Sequence, residues 1–149
     1  MLPVCDTQAP RGLAGKLRLT SDFSHWVIKC ERLLDTESER KLIDDEIGAA
    51  VVHVHARLAT PQMPQVEDVL GEEHASSRER FYSFWQRVWA HRKEGGDEFV
   101  TATLEYGPPE TNAAGDYAGY TPYGSKVSHE TLLSDALRAL QHRFQAHPL

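Results

Sequence analysis

Residues 51–57, VVHVHAR, alternate between apolar and polar side chains from their second residue onward. Such alternation in a β-branched run is typical of a strand with one buried and one polar face. The face predicted to be buried carries Val52, Val54 and Ala56. The polar face carries His53, His55 and Arg57. Imidazole is a common metal ligand and guanidinium binds carboxylate or phosphate oxygens, but a solvated strand face would show the same pattern.

The composition restricts the class of protein. A chain of 149 residues with 40% hydrophobic and 26% charged residues is typical of one globular domain. A net charge of -6 without a basic block argues against a nucleic-acid partner. We find neither a membrane-spanning run nor a secretory signal, and two cysteines without a CxxC motif indicate a reducing compartment. We therefore expect a cytoplasmic protein with a loose leader at 1–16 and one α/β domain at 17–149.

Two further segments alternate like strands, 17–22 and 99–105, which gives a β-α-β-α-β-α order. We interpret residues 23–26 as an exit loop, followed by a helical stretch from about Trp26 to Leu34. The next helix is predicted to end at Gly48, and the third at Gly95-Gly96. Capping boxes at Thr36/Glu39 and Ser76/Glu79 and a cap at Ser128 predict the starts of three helices.

Alternating units of this length predict parallel strands with right-handed crossovers. Two of the three connections from strand to helix are long, 58–75 and 106–127, whereas the connections from helix to strand are short. In parallel α/β folds the ligand site lies at the carboxyl ends of the strands. The long loops therefore mark the predicted functional edge of the sheet.

Chemically capable side chains lie at the end of each predicted strand. The first strand ends at Asp22, with His25 just beyond, the second contributes His55 and Arg57, and the third contributes Glu105. Since neighbouring strands are about 4.8 Å apart, we expect Asp22, His55 and Glu105 to meet around one ion. Two carboxylates and an imidazole suit Mn²⁺, Zn²⁺, Co²⁺ or Mg²⁺. Other histidines have polar sequence neighbours and are expected to be solvated: His74, His91, His142 and His147.

At these residues the chain resembles the sugar phosphate isomerase/epimerase family, the xylose-isomerase-like TIM barrels. The matching motifs are LRLTSDFSHW (17–26), CERLL (30–34), VVHVHAR (51–57), FWQRVW (84–89) and TLEYGPP (103–109). The resemblance implies metal ligands at Asp22, His55 and Glu105. It further implies substrate-binding residues at His25, Trp26 and Arg57, catalytic residues at Glu105 and His25, and a supporting place beside the ion for His53.

Members of that family isomerise or epimerise sugars or sugar phosphates by proton transfer through an enediolate. The resemblance therefore implies a divalent ion that stabilises the enediolate and a small-molecule sugar substrate, with neither a nucleic acid nor a membrane as partner. Glu105 would be one of the acid/base carboxylates.

The chain is too short for the whole fold of that family, because a (β/α)₈ barrel needs about 250 residues. We expect a partial (β/α) TIM barrel of about three parallel βα units, with helices on the outer face, which resembles the C-terminal half. The upstream glutamate that completes the family's metal shell and acts as the second acid/base is missing. The chain is then either a truncated isomerase or epimerase, or a non-catalytic metal- or sugar-binding remnant. An α/β domain whose histidine strand is merely solvated is the third alternative. A half barrel has two open edges, which a homodimer or a partner chain would complete.

Overall fold

A three-stranded parallel sheet lies at the centre of the fold. The computed structural model describes residues 17–107 and 127–146. The sheet has the order β1-β2-β3, with β1 at Leu19–Ser21, β2 at Val51–His55 and β3 at Thr101–Thr103. The predicted mixed α/β class and parallel strands are confirmed, although each strand is shorter than predicted. The predicted leader, 1–16, and residues 108–126 of the second long loop lie outside the described residues.

Four α-helices accompany the sheet in the described residues. Helix α1 spans Phe23–Cys30, and α2, Glu37–Arg40, continues as a π-helical segment, Lys41–Ile47, and a 3₁₀ turn, Gly48–Ala50. A 3₁₀ turn, Glu72–His74, leads into α3, Ala75–Glu94, and α4 spans His129–Ala146. Within the two described ranges, none of the helices combines the length and apolarity that a bilayer crossing needs.

Helix α1 begins earlier than predicted, because Asp22 is its N-cap. The backbone of Asp22 is extended, and its carboxylate accepts a hydrogen bond from Ser24 N at 2.9 Å. Aspartate stabilises a helix start in this way by accepting from one of the orphaned amides. The predicted exit loop at 23–26 is therefore wrong, since these residues form the first turn of α1. The helix ends at Cys30 rather than at the predicted Leu34, because the next residue, Glu31, takes the left-handed conformation with φ 53°.

The capping predictions had mixed outcomes. The box at Thr36 is confirmed, with the Thr36 hydroxyl accepting from Glu39 N and the Glu39 carboxylate accepting from Thr36 N. The box at Ser76 is wrong, because α3 starts two residues earlier than this box predicts, with His74 as its N-cap and no side-chain hydrogen bond at the cap. Ser128 accepts from Thr131 N at 3.2 Å, as predicted for a cap. Gly48 does not end the second helix, because its backbone is right-handed helical and continues into the 3₁₀ turn.

The aromatic stripe of α3 forms the main core, as predicted. Its buried residues are Phe81, Phe84, Trp85, Val88 and Trp89. Phe23 of α1 is fully buried against this stripe, with ring centroids 4.9 Å from both Phe81 and Phe84. Val51 and Val54 of β2 belong to the same cluster. Burying one such side chain contributes about 1.5–3 kcal/mol, so this core fixes how α1, α3 and the sheet lie together.

An irregular register modifies the predicted faces of β2. Leu19 pairs with Val51, but Thr20 pairs with His53, so two β2 residues span one step of β1. An extra residue of this kind shifts the alternation of side chains. Val51 is consequently fully buried, whereas Val52, predicted for the buried face, is only half-buried. Beyond the bulge Val54 and Ala56 are buried as predicted, and His53 and His55 remain half-buried.

A buried ion pair joins α3 to the π-helical segment. Arg80 donates to both carboxylate oxygens of Asp44, at 3.1 and 2.8 Å, and to Leu34 O at 3.0 Å. Burial raises the pKa of the Asp44 carboxyl, and the hydrogen bond from Arg80 offsets this only in part. Burial likewise lowers the pKa of the Arg80 guanidinium. The pair ties these elements in one arrangement, because either charge left alone in the core would be strongly destabilising.

Two of the histidines expected to be solvated are not fully so. His74 is only 4% exposed, because the 3₁₀ turn folds it under the start of α3, so this prediction was wrong. His91 is half-buried, and its Nε2 lies 3.1 Å from Asp44 O. His142 is exposed as predicted, and His147 lies outside the described residues.

Candidate metal centre and adjoining pocket

The carboxyl ends of the three strands bring Asp22, His55 and Glu105 together. Asp22 follows β1 directly, His55 is the last residue of β2, and Glu105 lies two residues beyond β3. One ligand atom from each side chain lies within 4.8 Å of the other two. The parallel pairing, which aligns His55 with Thr103, is what places residues so distant in sequence at one edge.

His55 and Glu105 form the more open half of this cluster. The Nδ1 atom of His55 and the Oε2 atom of Glu105 are in contact as an ion pair, with 33% and 43% of the two side chains exposed. Although the Glu105 side chain is partly exposed, Oε2 itself is buried and lies in contact with the His55 ring. A buried carboxylate oxygen is costly unless it has a partner, and either the His55 imidazole or a bound ion can be that partner.

Asp22 forms the more enclosed half. Its Oδ1 accepts from the backbone amide of Ser24 at 2.9 Å and from the Ser24 hydroxyl at 2.5 Å. Its Oδ2 accepts from Arg57 at 2.7 Å, and both side chains of this pair are less than 10% exposed. Arg57 also donates to Ser24 Oγ at 3.2 and 3.1 Å. Asp22 is therefore held in one orientation by the N-terminus of α1 and by Arg57.

His25 links the enclosed half to solvent. Its Nε2 lies 3.3 Å from Asp22 Oδ2 and 3.2 Å from Arg57 Nη2, while 70% of its side chain is exposed. As the third residue of α1, it projects from the first turn of the helix next to Asp22. An exposed imidazole within hydrogen-bond reach of a fixed carboxylate is suited to proton transfer with a bound molecule.

A cavity of about 630 Å³ opens beside the cluster. Its wall includes Ser24, His25, Trp26, Lys29, Arg57 and Glu105. Trp26 packs edge-on against Phe23, with the two ring centroids 6.0 Å apart, so the core holds the Trp26 ring in place. The pocket thus contains all three predicted substrate-binding residues, His25, Trp26 and Arg57. Its volume is in the range of small-molecule sites.

His53 makes different contacts from His55. Its ring nitrogens lie 2.7 Å from Thr101 Oγ1 and 3.0 Å from Thr103 Oγ1, so β3 holds it by two hydroxyls. The rings of His53 and His55 are 5.6 Å apart and perpendicular. His53 therefore lies next to the candidate centre but outside the three-residue cluster.

Three residues that shape the site were not predicted. Ser24 is buried and bonded to both Asp22 and Arg57, and recognition of Asp22 as a helix cap would have pointed to it. Gln65 is fully buried, and its amide exchanges two hydrogen bonds with the backbone of Gly107, at 2.9 and 2.7 Å. The buried Tyr106 hydroxyl accepts from Leu58 N at 3.0 Å. The last two tie the loop after β2 to the segment after β3, a tertiary pairing that has no local sequence signal.

The donor set fits a divalent ion. Two carboxylates and one imidazole are ligands that Zn²⁺ or Mn²⁺ accepts, and the three ligand atoms lie within 4.8 Å of one another. Asp22, His55 and Glu105 would hold the ion. Arg57, already bonded to Asp22, would act as the outer partner that orients this carboxylate towards an ion.

Comparison of the chain with protein-family models, with curated proteins and with solved structures finds no match. The fold and the site define an α/β protein with a candidate metal centre at the carboxyl edge of a parallel sheet.

Proposed function

We propose that this chain is a divalent-metal-dependent sugar or sugar phosphate isomerase/epimerase-like protein built on a partial (β/α) TIM barrel. The observation that carries the proposal is the convergence of Asp22, His55 and Glu105 at the ends of three parallel strands, next to a pocket. Carboxyl ends of parallel strands are where (β/α) enzymes carry their chemistry. The sequence motifs that resemble the sugar isomerase family contain these same residues.

The pocket supplies the groups that proton transfer requires. Glu105 lines the pocket and is 43% exposed, so its carboxylate can remove the proton from the carbon beside a sugar carbonyl, which leaves an enediolate. Return of the proton to the neighbouring carbon gives the isomer, and delivery of a proton to the opposite face of the same carbon by an acid on that side gives the epimer. His25 lines the same pocket and exchanges protons with the substrate's oxygens. A bound divalent ion would supply positive charge that stabilises the enediolate.

Asp22 and Trp26 orient the bound groups and take no part in the proton transfer. Asp22 receives three hydrogen bonds from Ser24 and Arg57, which fixes its carboxylate before any ligand arrives. Trp26 supplies an apolar wall against which a sugar ring can stack. Fixed groups of this kind lower the cost of ordering the site when substrate binds.

A non-catalytic metal- or sugar-binding protein is the second candidate. Among the residues that the structure describes along the 630 Å³ cavity, Glu105 is the sole carboxylate. Asp22 is nearly buried and neutralised by Arg57, so it is a poor second acid or base. This candidate predicts ion and ligand binding without turnover, whereas the first predicts exchange of a substrate carbon-bound proton with deuterated water.

Metal content of the purified chain tests the site, and His55→Ala is the decisive variant. Loss of the imidazole from a three-donor site should cost the chain one divalent ion relative to wild type, as measured by elemental analysis. His53→Ala is the matched control, because it removes the neighbouring imidazole of the same strand but leaves all three donors. An equal metal content in His55→Ala and wild type would rule out the proposed centre. Asp22→Asn, which retains a helix-capping side chain, should lose the ion without losing the fold.

A further inference from the structure

A second group of potential ligands lies at the end of the loop after β2, outside the centre described above. Glu67 comes from the loop, and Glu73 and His74 come from the 3₁₀ turn that precedes α3. One carboxylate oxygen of each glutamate and one ring nitrogen of His74 lie within 4.8 Å of one another. No residue is shared with the Asp22, His55 and Glu105 cluster.

His74 is the unusual member of this group. Its residue is 4% exposed, and its Nε2 is buried without a hydrogen bond to any described residue. A buried imidazole nitrogen without a partner destabilises the fold. Native structures retain few such atoms without a partner that satisfies them. The packing of α3 alone therefore does not account for the burial of the His74 ring.

The surrounding backbone is held in place. Arg78, in the first turn of α3, donates to Val69 O and Gly71 O, both at 3.0 Å. The Glu73 carboxylate folds back over Gly71 so closely that a Cβ added there would lie 2.7 Å from Glu73 Oε2. The loop therefore presents its acidic side chains to His74 from a fixed backbone rather than from a flexible segment of chain.

We propose that Glu67, Glu73 and His74 form a second divalent-cation site, which can hold an ion such as Zn²⁺. Two carboxylates and one imidazole match the donors that Zn²⁺ binds, with water in the fourth position. The ion would take a ring nitrogen of His74 and one oxygen of each carboxylate as its ligands. It would join the loop to the start of α3. Its ligand Glu67 lies two residues after Gln65, whose side chain is hydrogen-bonded to Gly107 beside the first centre. The site is a structural clip, and it stands independently of the proposed catalysis.

Calorimetric titration of the metal-free 149-residue chain with ZnCl₂ tests the site. The titration uses a His55→Ala/Glu105→Ala background, which removes two donors of the first centre and leaves the loop intact. We expect this protein to bind one Zn²⁺. Adding Glu67→Gln/Glu73→Gln, which keeps side-chain shape and removes charge, should weaken Zn²⁺ binding by at least about tenfold. Glu72→Gln is the matched control, since this exposed neighbour in the same turn is outside the group and should leave the affinity unchanged.

Two results would overturn the proposal: absence of Zn²⁺ binding in the folded background protein, or equal affinity with and without Glu67→Gln/Glu73→Gln. Glutamines are chosen because replacing the buried His74 could unfold the chain. Circular dichroism confirms folding, and if the background protein is unfolded, the same pair is introduced into wild type, where the stoichiometry should fall by one ion. Loss of the first centre with retention of the loop ion would count against the proposed function alone.

Discussion

Tyr106 shows how a single residue couples the loops around the site. Its hydroxyl accepts the amide proton of Leu58, and burial raises its pKa above the ordinary value of 10.0. Tyr106→Phe leaves the buried Leu58 amide without an acceptor, so we expect about 1–3 kcal/mol of destabilisation at neutral pH, measured by urea unfolding. Tyr82→Phe is the control, because it leaves the Leu58 hydrogen bond in place.

The same residue predicts an alkaline loss of stability. A tyrosine whose folded pKa is raised stays protonated in the fold, while the unfolded chain releases its proton above pH 10.0. Stability is therefore full below pH 10 and falls as pH rises towards the folded pKa, by roughly 1.4 kcal/mol per pH unit for each such tyrosine. Burial also raises the pKa of Tyr82, so Tyr106→Phe should reduce the alkaline slope without abolishing it. An unchanged slope in Tyr106→Phe would contradict this assignment.

At the residue scale, the sequence predicts those site members that carry reactive groups at strand ends. Asp22, His55 and Glu105 could be placed together because parallel strands align their carboxyl ends. Gln65 could not be predicted, since its role depends on the backbone of Gly107, 42 residues away in the chain. His74 was misjudged for a related reason: polar sequence neighbours do not reveal that a turn folds a side chain beneath a helix.

At the scale of elements, two similar capping patterns had different outcomes. Thr36 and Glu39 exchange capping hydrogen bonds, whereas Ser76 lies inside α3, whose start is set by the preceding 3₁₀ turn. Local pattern alone cannot show where such a turn nucleates the helix. The parallel order and the α3 stripe were predictable because both depend on periodicity, which needs no knowledge of the turns.

The contributions of Thr36 and Ser76 to the free energy of unfolding can be compared by mutation. Thr36→Ala removes a capping hydroxyl and should lower the free energy of unfolding by about 1 kcal/mol. Ser76→Ala replaces an exposed residue in the first turn of α3, which is not its N-cap, with the strongest helix former, and should change stability by less than about 0.5 kcal/mol. Denaturant unfolding of both variants beside wild type checks the comparison. A larger loss in Ser76→Ala than in Thr36→Ala would contradict the capping assignment.

At the scale of the whole molecule, the sheet has two edge strands, β1 and β3. Within the described ranges β1 and β3 each pair with β2 alone, so both outer edges have no strand beside them. All three residues of β3 are exposed, and the neighbouring Phe99 is 78% exposed. Phe99 borders an apolar cavity of about 520 Å³, which Ala102, Leu140 and Phe144 also line. Unpaired edges and exposed apolar surface of this kind promote association between chains.

We therefore propose that a second copy of the chain pairs at the β3 edge, and predict a homodimer. Light scattering coupled to size exclusion should give about twice the chain mass of 16.8 kDa. Ala102→Lys places a charge on the exposed edge beside Phe99 and should shift the protein to monomer, because lysine on an edge strand opposes pairing. Leu42→Lys is the matched control: it adds the same charge at an apolar residue, 48% exposed, on the π-helical segment, and should leave the dimer intact. A folded wild-type monomer at micromolar concentration would contradict the pairing, and so would a dimer that survives Ala102→Lys but not Leu42→Lys.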